Sequence, residues 1–164
     1  MSDPVEPTSS IDPYSVLEEL TAPITIANIS PDFTLGTAQG FVRAFMQFGD
    51  QEVATVPRAS IPQEQKDRIK SVLREEMEQE LFVAIDTNNL PEVADALADS
   101  IYVLLSIATA YGIYMPAVLR EVCYNNHLKT LSPKRVNELG KVLKPEGHPA
   151  PRILQILDIL SGRG

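Results

Sequence analysis

The chain carries a single cysteine, Cys123, among its 164 residues. That excludes an internal disulfide and any zinc site built from several thiolates. The two histidines, His127 and His148, stand in no cysteine-hydrolase context, so Cys123 is expected as a small core residue rather than a nucleophile. No uninterrupted apolar run reaches the roughly 20 residues that span a bilayer. The opening MSDPVEPTSS lacks the basic-then-apolar order of a secretory leader. A cytoplasmic protein with no membrane partner is therefore expected. Strand-like alternation never persists beyond a few residues, and no segment repeats. These absences leave one fold class, an all-α domain of a size that can bury its own core.

Positive charge is also scarce. Lys and Arg number 14 against 22 Asp and Glu, for a net charge of -8 and a pI near 4.7. Such a surface repels phosphate backbones, so no nucleic-acid polymer is expected as a partner. A small phosphorylated ligand remains open, because metal ions held by acidic side chains reverse the local field.

Residues 1–33 hold five of the thirteen prolines and are expected to form a flexible arm ahead of a domain at 34–164. The first firm helix is predicted at 35–48, with Phe41, Ala44, Phe45 and Phe48 at core spacing and Gly49 ending it. A second is predicted over 60–85, opened by a capping box of Ser60 and Gln63 with Pro62 in the first turn. A third follows over 89–111, capped by Asn89 and stopped by Gly112, antiparallel to the second across a short polar turn. Further helices are expected at 115–129, 132–139 and 151–160, with 140–149 as a loop.

What is present in excess is carboxylate, and it is placed unevenly. Glu75, Glu76, Glu78 and Glu80 fall within six residues of the second helix. At about 100° per residue, Glu76 and Glu80 lie at or inside the apolar face marked by Ile69, Leu73, Met77, Leu81 and Ala84, whereas Glu75 and Glu78 point elsewhere. Acids on an apolar face are costly unless a cation or hydrogen-bond donor meets them. On the third helix Glu92, Asp95 and Asp99 form a stripe at i, i+3, i+7 opposite Leu90, Val93, Leu97, Ile101, Leu104 and Ala108. Ala96 and Val103 flank one edge of that stripe, Tyr102 and Ser106 the other, and no basic residue interrupts it. A solvated helix face would also be rich in glutamate. Hard oxygen ligands in excess of local positive charge instead suit magnesium or manganese.

The series Val72-Leu73-Arg74-Glu75-Glu76, Glu80-Leu81 and Glu92-Val93-Ala94-Asp95-Ala96-Leu97-Ala98-Asp99 resembles the EExxE and ExxD pair of MazG-like pyrophosphohydrolases. That all-α superfamily also holds dimeric dUTPases and phosphoribosyl-ATP pyrophosphohydrolase. Tyr111-Gly112-Ile113, Asn126-His127-Leu128-Lys129 and Gly140-Lys141-Val142-Leu143-Lys144-Pro145 continue the resemblance, the last being similar to the basic loop of a phage-type branch, so a phage-infected host cell is among the settings it implies. The likeness spans about 34–160. Met46 stands where the family often has histidine. EExxE fits only if a one-residue helical bulge keeps Glu75, Glu76 and Glu80 together, and such bulges cluster at functional sites.

The resemblance implies an antiparallel bundle that uses Mg2+, with Mn2+ as a substitute, to hydrolyse a nucleoside triphosphate to the monophosphate and pyrophosphate. It implies metal ligation by Glu76, Glu80, Glu92 and Asp95, with Asp99 as a further ligand or ligand partner. Glu75 is implied as the base orienting water, Asn126 and Lys129 as nucleotide contacts, and Lys141 and Lys144 as cover for the phosphates. The preferred base is expected to be a purine, as dGTP or GTP. A dCTP or dUTP enzyme, a broad house-cleaning hydrolase, phosphoribosyl-ATP hydrolysis and a non-catalytic helical interaction module are the alternatives. Because the third helix is apolar in most directions, a homo-oligomer is expected, a tetramer ahead of a dimer.

Overall fold

A computed structural model describes residues 33–163, so the proline-rich arm lies outside the described residues apart from Phe33. The elements run α1 (Leu35–Phe48), α2 (Gln63–Arg74), a π-helical segment π1 (Glu75–Leu81), α3 (Phe82–Asp86), α4 (Leu90–Ala110), α5 (Met115–His127), a 3-10 turn (Leu128–Leu131) and α6 (Ile153–Leu160). The all-α expectation holds.

Local chemistry accounts for most of the boundaries. Thr34 caps α1 by accepting from the Thr37 N–H at 3.1 Å. The expected Ser60–Gln63 box does not form: Pro62 is the N-cap and α2 begins at Gln63 without a side-chain cap. Pro62 is extended (φ -52°, ψ 144°) and stands just ahead of the first turn, where its missing N–H leaves no helical bond unmade. Between α3 and α4 the chain turns over Thr87, whose hydroxyl donates to the Val83 carbonyl, and Asn88, at a φ of 55°. Gly112 (φ 69°) ends α4 where no side chain fits, since a Cβ there would stand 2.1 Å from the Val56 carbonyl oxygen.

Val42 and Met46 of α1 meet Ile61, Leu105 and Ala110 to form the core. This phase corrects the expected one. The stripe Phe41, Ala44, Phe45, Phe48 is rotated away from it, leaving Phe45 58% and Phe48 88% exposed. Gln39 fixes the rotation of α1 from inside the core, donating to the Ile113 carbonyl at 2.7 Å and accepting from the Met115 N–H at 3.0 Å. A buried amide satisfied on both sides specifies an orientation more sharply than apolar contacts do.

α4 corrects a second expectation. Its buried positions are Ala96, Ser100, Val103, Leu105, Ala108, Thr109 and Ala110, so of the expected face Ala108 is packed while Leu97, Ile101 and Leu104 are about half exposed. By length and composition alone α4 is long and apolar enough to cross a membrane, although its apolar residues form no unbroken run of that length. It also carries three carboxylates and packs against α1, α2, π1 and α3.

On α5 the buried positions are Glu121 and Asn125, so Cys123 faces solvent rather than the core. Both buried side chains hold the chain's last segment. Arg152 donates to the two oxygens of Glu121 at 3.0 and 2.7 Å, its backbone N–H adding a third bond at 2.9 Å. Asn125 donates to the Pro149 carbonyl and meets His148 Nε2. The helix expected at 132–139 is absent. Asn137 instead accepts from the Leu139 and Lys141 N–H groups around a turn closed by a Val136–Val142 bridge.

Candidate metal centre

The second helix does not run as one α-helix. Over Glu75–Leu81 it widens to a π turn before resuming. In an α-helix, side chains four apart drift by about 40° per step, which would carry Glu80 and Ala84 progressively away from Glu76. The wider turn absorbs that drift, since its bonds span five residues instead of four. Two files therefore stay turned toward α4: Met77 and Leu81, and Glu76, Glu80 and Ala84, with Leu81 and Ala84 buried.

The result is a cluster. One oxygen from each of Glu76, Glu80 and Asp99 lies within 4.8 Å of the others. Glu76 is the half-buried member, and its Oε2 is enclosed with no hydrogen-bond partner. Burial, together with the charges of Glu80, Asp99 and Glu75, pushes the Glu76 carboxyl above its ordinary range. Among the described residues no cation is paired with these three acids. An acceptor-only group shut away from water without a donor is unstable as it stands and fits a hard divalent cation. The three oxygens are close enough to bind one ion in common, so the residues present suit the metal that the sequence implied.

Glu80 also borders a cleft of about 490 Å³ between the ends of α3 and α4, lined with Glu92, Asp95, Ala96, Asn89 and Gln79. Glu92 and Asp95 thus share the cleft with Glu80 but stand outside the three-acid cluster, to which α4 contributes Asp99. Asn89 stands at the N-cap of α4 as expected, but its side chain makes no capping bond there and lines the cleft instead. Glu75 is exposed beside Glu76, and Glu78 is turned toward Arg74, 4.0 Å away.

The expected substrate-binding residues lie elsewhere in the chain. Lys129 donates to Asn126 at 2.7 Å at the end of α5, which packs on α1 and α6. Lys141 and Lys144 are exposed in the loop after the Asn137 turn. The chain does not itself bring these four side chains to the acids by any ion pair.

Residues 42–126, just over half of the chain, match the model of the family described as phosphoribosyl-ATP pyrophosphohydrolase. No curated protein matches the chain. The matched stretch takes in the second half of α1, both acid-bearing helices and nearly all of α5, and stops short of the lysine loop.

Proposed function

The chain belongs to the phosphoribosyl-ATP pyrophosphohydrolase family, and from that we propose that it is a magnesium-dependent nucleoside triphosphate pyrophosphohydrolase. The observation that carries the reading is the enclosed, unpartnered oxygen of Glu76 facing Glu80 and Asp99 at the edge of an acid-lined cleft. Glu76, Glu80 and Asp99 would hold one magnesium, and Glu92 and Asp95 extend the carboxylate surface along the cleft where a triphosphate would lie. The bound metal supplies positive charge to the phosphate oxygens and to the departing pyrophosphate. Glu75, exposed next to the cluster, orients the attacking water and accepts its proton. The water oxygen bonds to the α-phosphorus, the bond from that phosphorus to the bridging oxygen breaks, and nucleoside monophosphate and pyrophosphate leave.

Asn126, Lys129, Lys141 and Lys144 complete the site from a neighbouring copy, contacting nucleotide and phosphates. This is a homotetramer in preference to a dimer. The base is a purine, as dGTP or GTP. A second reading, phosphoribosyl-ATP as substrate, is favoured by the family match itself and uses the same acids on the same phosphoanhydride.

Pyrophosphate release from a panel of ribo- and deoxynucleoside triphosphates and phosphoribosyl-ATP, with and without magnesium, tests both. Faster turnover of a purine triphosphate than of phosphoribosyl-ATP supports the first reading, and the reverse order supports the second. A protein that hydrolyses none of them and gains no stability from magnesium is a non-catalytic helical module.

A further inference from the structure

The π turn that aligns Glu76 with Glu80 needs something to hold it, because a wide turn is a less favourable register than the α-helix on either side. The side chains that join π1 to α4 are informative. Ser100 is almost fully buried, at 4% exposure, and follows Asp99 directly in α4. Its hydroxyl donates to the thioether sulfur of Met77 at 3.5 Å, and Met77 follows Glu76 directly in π1. Serine in a helix ordinarily returns its hydroxyl to a carbonyl of the preceding turn. Ser106, two turns further along α4, does this at 2.8 Å to Val103, and Thr87 does it to Val83. Ser100 instead reaches out of its helix. Among the described residues its bond to Met77 is the side-chain hydrogen bond that links π1 to α4.

We propose that Ser100 and Met77 form a register latch: their contact holds the π turn against α4 and so positions Glu76 and Glu80 opposite Asp99. Both are positioning residues, acting through the acids beside them. Methionine suits the place because its unbranched, polarisable side chain fills an irregular gap and its sulfur accepts a hydrogen bond. It also stands between Glu76 and Glu78 in a run rich in carboxylates. A third acid facing Ser100 would crowd the cluster with like charge, whereas the thioether ties the same turn down without adding any. The inference deepens the metal-site reading and rests on it for its functional meaning.

Two measurements on the full chain separate the latch from that reading. The first is amide hydrogen exchange of the metal-free protein. Ser100→Ala and Met77→Leu should each speed exchange across residues 75–81 while leaving α1 at the wild-type rate. Unchanged exchange in π1 overturns the latch whatever the site binds. The second is calorimetric titration with Mg2+ and Mn2+. Each variant should bind about three- to tenfold more weakly, the scale of one net hydrogen bond. The double variant should lose no more than either single one, because both remove the same contact. Ser100→Cys, which keeps a weak donor, should recover part of the affinity. Additive losses, or full affinity in the single variants, overturn the positioning role. A wild type that binds neither ion refutes the metal-site reading, while faster exchange in the variants would still support the latch.

Discussion

A carboxylate oxygen of Glu76 and one of Asp99 lie within 4.8 Å of each other across the contact of π1 with α4, and among the described residues neither acid is paired with a basic side chain. Glu76 bears most of the resulting strain, because it is the member drawn partly inside and keeps an oxygen without a donor. Like charges so close oppose folding, and a divalent ion bound between them would offset that repulsion.

That asymmetry gives the first expectation. Glu76→Gln should raise the melting temperature of the metal-free protein by roughly 1–3 °C at neutral pH. It should also remove the stabilisation that saturating magnesium gives the wild type. The pH dependence has a definite sign: a carboxyl raised in the folded state costs stability as pH climbs through its titration. The metal-free wild type should therefore lose stability on going from mildly acid to neutral pH relative to Glu76→Gln. Thermal melts with chelator and with magnesium check this, and a variant less stable than wild type under chelator would contradict it.

The acids of α4 separate in a second experiment. Asp99→Asn should weaken magnesium binding by about 10-fold or more, since it removes one of three shared ligands. Asp95→Asn should leave that binding within about threefold and lower turnover through the cleft instead. On the neighbouring helix, Glu80→Gln should cost far more activity than Glu78→Gln, which points toward Arg74. Equal losses at 78 and 80 would place the working face elsewhere.

These contrasts show where the sequence was readable. Glu76 and Glu80 were found because they intrude on an apolar face, and the misfit of the acid motif pointed to a bulge that the structure places at Glu75–Leu81. Helical phase was legible only where polar residues stayed outside. In α1 and α5 the inward positions include Gln39, Glu121 and Asn125, each satisfied by partners far along the chain that periodicity cannot register. In α4 the apolar face and the packed face differ, because small residues rather than large ones let π1 approach. The segment 132–139 was misread as helix because Asn137 organises it through its side chain.

The C-terminal segment should be acid-labile. Hydrogen bonds from the Arg152 side chain and backbone hold the Glu121 carboxyl down to about 2, from an ordinary value of 4.5. A depressed carboxyl contributes stability that is complete above the ordinary value and drains away as pH falls from 4.5 toward 2. Amide exchange over residues 148–160 should accelerate in that window. Glu121→Gln should exchange quickly there at neutral pH already, with a flatter response to acid. A variant as acid-sensitive as wild type would assign the effect to other carboxylates.

The surface that α4 leaves open bears on assembly. Only 39% of its most apolar stretch is buried within the chain, and Leu97, Ile101 and Leu104 form an exposed apolar face, with Phe45 and Phe48 exposed on α1 and Phe82 on α3. A helix apolar on a face that the described residues do not cover calls for cover from elsewhere. The same assembly would bring one copy's lysines to another's acids. Wild-type protein should therefore elute as a tetramer, or failing that a dimer, in light scattering. Leu104→Asp should shift it toward the 18.1 kDa monomer. That monomer should keep magnesium binding at Glu76, Glu80 and Asp99, which one chain supplies, and lose turnover. A mixture of Lys141→Ala with Glu80→Gln, each inactive alone, should regain partial activity when intact halves meet at one interface. Full activity in an 18.1 kDa species would overturn the shared site.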